Sequence, residues 1–115
     1  MPDHGLTRRQ VALIRGILAP FADRIDRVDL FGSRALGTSR SNSDVDLSLH
    51  GMLSAKDVDR LHTLFLESAL PFSVDVKDYA RIAYPPLKEH IDRVARTLFT
   101  RKDLVEPAPA VIKRM

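Results

Sequence analysis

A small α+β domain, with α/β layers built from a mixed β-sheet and helices packed on it, is the fold this sequence predicts. Three observations point there. Apolar residues recur at helical spacing in three separate stretches, strand-like alternation falls between them, and no segment repeats or has low complexity. At 115 residues the chain has the length of one domain. Its 44% hydrophobic residues, with 5 Gly and 7 Pro, suffice for a core and exclude disordered and fibrous classes.

Thr7 and Gln10 have the spacing of a capping box, and Val11, Ile14, Leu18 and Phe21 follow at helical intervals. They predict a helix over residues 8–19, ended by Pro20. Val28 to Phe31 reads as a short strand stopping at Gly32, and Arg34-Ala35-Leu36 as a helix start. Residues 44–50 alternate, with Asp44, Asp46, Ser48 and His50 on one face and Val45, Leu47 and Leu49 on the other. Ser54 caps a second long helix whose buried stripe is Val58, Leu61, Phe65 and Ala69. Phe72 to Lys77 alternates again. A last helix begins near Pro86, with Leu87, His90, Ile91 and Val94 inward, and Thr97 to Thr100 suits an edge strand. The domain is expected to span residues 1–103, with a Pro/Ala-containing tail over 104–115. Sheet order does not follow from periodicity.

Composition narrows the chemistry. Cys is absent, which excludes disulfides, thiolate zinc sites and Cys nucleophiles. No apolar run approaches the roughly 20 residues of a membrane helix, and Met1-Pro2-Asp3-His4 lacks a secretory layout, so a cytoplasmic protein without membrane association is expected. A net charge of +3 spread along the chain reads as a solvated basic surface, and direct nucleic-acid binding is not expected. Within each sign the skew is strong: 13 of 18 basic residues are Arg and 12 of 15 acids are Asp. Those types serve bidentate phosphate binding and hard cations.

The informative stretch runs from Gly32 to Asp46. Asp44 and Asp46 leave the same face of one strand. If the strand holding Asp75 pairs beside it, Val74 and Val76 join the core face and Asp75 joins the polar one. Three carboxylates so close repel unless a cation lies between them, and an all-oxygen set favours Mg²⁺ or Mn²⁺. A bare Asp-x-Asp is more often a solvated strand face, and a lone Gly-Ser is most often a turn. Here Gly32-Ser33 sits where a strand runs into a helix start, a corner suited to phosphate. The polar loop Gly37 to Ser43 follows with one arginine, Arg40, able to reach a phosphate. His4, His50, His62 and His90 are scattered without ligand spacing, and His50 reads as a strand end. Asp23, Asp26 and Asp29 read as surface charges, Arg8, Arg9 and Arg15 as a solvated helix face. Tyr79 and Tyr84 read as core cover.

The residues Gly32-Ser33-Arg34-Ala35-Leu36-Gly37-Thr38-Ser39-Arg40-Ser41-Asn42-Ser43-Asp44-Val45-Asp46-Leu47 resemble the signature of the polymerase-β-like nucleotidyltransferases. They are most similar to the minimal nucleotidyltransferase branch, the antitoxin half of HEPN–MNT toxin–antitoxin modules. In that family ten residues lie between Gly-Ser and Asp-x-Asp, as residues 34–43 do here between Ser33 and Asp44. Val74-Asp75-Val76 is similar to the strand bearing the third family Asp. The resemblance implies the polymerase-β-like fold, with Gly32 and Ser33 holding the triphosphate of ATP and Arg40 contacting phosphate. Ser43, at the end of the loop, is counted with the nucleotide-binding residues. Asp44, Asp46 and Asp75 would bind two Mg²⁺ ions, Asp75 also helping to activate the attacking hydroxyl. Leu36 departs from the pattern: many relatives carry Arg there, and its contact is either lost or taken over by Arg34. The function implied is transfer of AMP from ATP to a tyrosine of a cognate HEPN ribonuclease toxin, with the two proteins in a hetero-oligomer. The alternatives are a non-catalytic antitoxin that masks the toxin, and a small-molecule nucleotidyltransferase.

Overall fold

The computed structural model describes residues 4–105. Helix α1 (Arg8–Leu18) opens on the expected box: Thr7 Oγ1 accepts from the Gln10 N–H and the Gln10 side chain accepts from the Thr7 N–H, each at 3.0 Å. Ile14 and Leu18 are its buried residues. Pro20 does not end helical structure outright. It lies in the first turn of a 3-10 segment, Ala19–Arg24, where its missing N–H is not needed and where Phe21 and Ala22 are buried.

Strand β1 (Ile25–Phe31) starts three residues before the apolar run read from sequence, because exposed Asp26 and Arg27 interrupt the pattern behind buried Ile25. Helix α2 (Gly32–Leu36) and strand β2 (Val45–Gly51) follow. Helix α3 (Ala55–Leu66) has a Ser54–Asp57 capping box. It stops before Ala69, since the Glu67 and Ser68 N–H groups close on the carbonyls of Thr63 and Phe65, so Ala69 is not part of its buried stripe. Strand β3 (Val74–Asp78), a 3-10 turn (Tyr79–Arg81), helix α4 (Pro85–Val94) and strand β4 (Arg96–Thr100) complete the expected series.

A final helix, α5 (Arg101–Val105), carries the described chain past residue 103, where the tail was expected to start; residues 106–115 lie outside the described residues. Long-range arginine contacts hold it. Arg15 Nε donates to the Asp103 carbonyl at 2.6 Å, and Arg101 Nε donates to the carbonyls of Ala22 (3.0 Å) and Ile25 (2.9 Å).

The four strands form one mixed sheet in the order β3-β2-β1-β4. β1 pairs antiparallel with β2 and β4, while β2 and β3 run parallel, joined by the α3 crossover. Val28, Leu30, Val45, Leu47, Leu49 and Val76 point to one face and form the main core with Ile14, Leu18, Leu61 and Phe65. The reverse face is the polar one, partly covered by α4 through buried Ile91. Among the described residues no helix is long and apolar enough to cross a membrane.

Leu47 is wholly buried at the centre of this sheet, whereas Met52 is 88% exposed. Leu47→Ala is expected to cost about 3 kcal/mol in denaturant unfolding and Met52→Ala about 0.5 kcal/mol or less.

Candidate active site

The parallel register sets Val45 beside Val74, Asp46 beside Asp75 and Leu47 beside Val76. The apolar members of both strands face the core, so the two aspartates share the opposite face, as the alternation implied. Asp44 lies one residue before β2 and is exposed.

Above Asp46 the end of β1 turns into α2. Gly32 has φ +72°, and a Cβ there would collide with Asp46 Oδ2, so only glycine fits this backbone against this carboxylate. Helix α2 has no capping side chain, which leaves its first-turn N–H groups without one beside the acidic face. The Ser33 carbonyl accepts from the Thr38 N–H at 3.0 Å and so folds the loop back. Arg40 is exposed on that loop, and its N–H donates to Ser43 Oγ at 2.8 Å.

Arg34 is not turned toward this surface. It is wholly buried, and its guanidinium donates to backbone carbonyls, among them Ser43 O from Nη2 at 2.9 Å and from Nε at 3.1 Å. Burial lowers its pKa, and the charge of Asp44 acts in the other direction. The expectation that Arg34 takes over a phosphate contact therefore meets a side chain whose donors are already engaged.

Burial raises the pKa of Asp46, and the charges of Asp75 and Asp44 raise it further against smaller lowering effects from Lys77 and His90. Asp75 has a cationic partner instead: Lys77 Nζ is 3.5 Å from one carboxylate oxygen. Hence the three acids repel one another without converging. Among the described residues, no group of three or more His, Asp or Glu stands close enough to hold a metal ion. The donor chemistry still suits a hard divalent cation, since a cation beside Asp46 would relieve the repulsion that Asp75 and Asp44 exert on it. Binding one would require Asp75 to exchange Lys77 for the ion.

The family model for polymerase beta nucleotidyltransferases matches residues 14–104. The chain belongs to this nucleotidyltransferase family. Among solved structures, this nucleotidyltransferase is similar to a toxin-antitoxin with AMP-PNP, at 26% identity and a TM-score of 0.64 over 81% of this chain and 77% of that one. A toxin-antitoxin MntA-HpeT mutant is similar in fold, at 22% identity and a TM-score of 0.62 over 81% and 76% of the two chains. No curated protein matches.

Several polar residues of the nucleotidyltransferase sheet have positions that sequence reasoning missed. Asp29, read as a surface charge, is buried. It accepts from Arg27 Nε at 2.9 Å and Thr97 Oγ1 at 3.1 Å, and His50 Nε2 lies 3.4 Å from it. His50, read as a strand end, is partly exposed near the end of β2 and also joins this cluster. Its ring stacks on Tyr79 with centroids 4.3 Å apart, and burial, then Arg27, lowers its pKa. Tyr79 in turn donates to Asp92, whereas Tyr84 is 67% exposed and does not cover the core. The one available signal was the face itself, because Asp29 falls in register with Ser48 and Ser48 lies in line with Asp46. Its partner Thr97 is 68 residues away and had no local signature.

Because folding raises the pKa of Asp46, the native state binds its proton more tightly than the unfolded chain does. The contribution of Asp46 to stability is then full at low pH and is lost as pH rises through the carboxylate range, from about 4 upward. Asp46→Asn is expected to raise the Tm of the metal-free protein by a few degrees at pH 7, a gain that shrinks as pH falls toward about 4. Paired thermal scans of wild type and variant across pH check the sign.

Proposed function

We propose that this nucleotidyltransferase is the antitoxin of a toxin–antitoxin pair and transfers AMP from ATP, with Mg²⁺, to a tyrosine hydroxyl of a cognate HEPN ribonuclease toxin. The observation that carries the reading is the register of Asp46 against Asp75 beneath the Gly32 turn, in a chain that belongs to the nucleotidyltransferase family. The likeness to a toxin-antitoxin with AMP-PNP supports both the nucleotide and the class of partner.

In this reading each residue has a task. The Gly32-Ser33 turn presents backbone N–H groups to the triphosphate, Arg40 adds a charge from the loop, and Ser43 keeps the loop turned through its bond to the Arg40 N–H. Asp44 and Asp46 would hold the metal and orient the α-phosphate, and Asp75 would join them on giving up Lys77. Asp75 receives the proton of the acceptor hydroxyl, whose oxygen forms the new bond to phosphorus as pyrophosphate departs. When bound, two Mg²⁺ ions screen the triphosphate charge and favour that departure. β3 is an edge strand and the Asp75 side chain is 45% exposed, which leaves it approachable by an acceptor on another chain.

A second reading, masking of the toxin without catalysis, has one observation in its favour. Leu36 is exposed where many relatives carry Arg, and buried Arg34 does not replace that charge. One experiment separates the two. With the partner co-expressed, transfer predicts Mg²⁺-dependent labelling from α-labelled ATP and a mass gain of about 329 Da per AMP on the partner. An Asp44→Asn, Asp46→Asn double variant is expected to lose about a hundredfold or more of that labelling. A partner held in an inactive complex at its unmodified mass would favour masking, and undiminished labelling by the double variant would sink the metal assignment.

A further inference from the structure

The buried guanidinium of Arg34 joins three segments that are distant in sequence. Nη2 donates to the carbonyls of Ser43 (2.9 Å), Ser41 (3.2 Å) and Arg40 (3.4 Å), and Nε also donates to Ser43 (3.1 Å). Nη1 donates to the His4 carbonyl at 2.9 Å, and the guanidinium carbon lies 4.7 Å from the centre of the Phe72 ring. Two of these segments lead in sequence to the acidic residues. The 40–43 turn runs straight into Asp44, Phe72 stands three residues before Asp75, and Arg34 itself follows the Gly32-Ser33 turn. A planar fork of five donors can hold the 40–43 turn through Nη2 and Nε while Nη1 holds the His4 carbonyl, a span that the compact ammonium of a lysine does not cover.

We propose that Arg34 is a positioning residue of the nucleotide site: it touches no phosphate, but clamps the 37–43 loop to the start of the chain and to Phe72, so that the loop is ordered before nucleotide binds. The proposal rests on the reading above that this loop lines the nucleotide site. A loop ordered in advance removes its ordering cost from the binding step. The clamp therefore acts on affinity for the nucleotide more than on turnover at saturation. Gly5 offers an independent handle. It has φ +73°, and a Cβ there would lie 3.0 Å from Arg34 Nη1 and 3.3 Å from Ser39 Oγ. Gly5→Ala thus pushes on the clamp while leaving Arg34 in place.

The test uses the full chain as wild type, Arg34→Lys and Gly5→Ala, with amide hydrogen exchange and titration of Mg²⁺-ATP. In both variants amides 38–43 are expected to exchange about tenfold faster or more, while Leu47 and Leu49 keep wild-type protection. The Kd for Mg²⁺-ATP is expected to rise about tenfold, with partner labelling at saturating ATP changed far less. If Arg34→Lys fails to fold, Gly5→Ala carries both readouts. Wild-type loop exchange in a folded variant overturns the proposal. So does a released loop with unchanged affinity, or faster exchange that spreads equally into β2. Wild-type protein that binds no Mg²⁺-ATP overturns the reading of the site together with the positioning role, and is distinguished from the other outcomes by the wild-type titration alone.

Discussion

The pairing of β2 with β3 is the constraint on which the molecule turns. Strands lie roughly 4.8 Å apart, so a parallel register that sets Asp46 beside Asp75 holds two carboxylates in mutual repulsion. On the acidic face Lys77 and His90 offset that repulsion in part, and burial and the neighbouring acids outweigh them at Asp46. The arrangement is imposed from behind, where Val45, Leu47 and Val76 are buried against α3 and α1. With a side-chain period of two, any register that buries those residues puts both acids on the opposite face, and the observed one sets them side by side. The Gly32 turn then closes over Asp46 in the space that a side chain would otherwise take.

Those parts of the fold that announce themselves locally could be read before any coordinates. Thr7 with Gln10, and the alternation from Asp44 to His50, carry their physics within a few residues. The placement of Asp75 followed once pairing was assumed, because Val74 and Val76 had to join the core. What escaped was held by distant partners. The start of β1 hid behind Asp26 and Arg27, although Ile25 is buried. Helix α5 is short and has no apolar stripe, and it is secured by arginine bonds that reach back to the first 25 residues. Arg34 illustrates the limit most clearly. In sequence it is a cation beside a phosphate-binding turn, and only its burial shows that its donors face the backbone.

The surplus of arginine over lysine acquires a structural meaning from this pattern. Arg34, Arg101, Arg15 and Arg81 all donate to main-chain carbonyls in turns or loops or at the helix end. Some of these carbonyls already accept one main-chain N–H, Ala22 from Ile25 and Arg40 from Ser43, and the guanidinium adds a second bond. A guanidinium reaches several at once and loses less conformational freedom per bond than an ammonium would. Arginine thus joins segments here that a larger protein could hold by apolar burial alone.

His62 adds a last element at the free margin of the sheet. Its Nε2 accepts from the Val76 N–H at 3.1 Å, occupying an outward donor of the edge strand that carries Asp75. An exposed edge invites a second chain to extend the sheet by backbone pairing. With that donor engaged by an imidazole, strand addition at this register must first evict His62. The margin beside the acidic face is thereby guarded against templated aggregation, and what approaches it is met by side chains rather than by an open ladder.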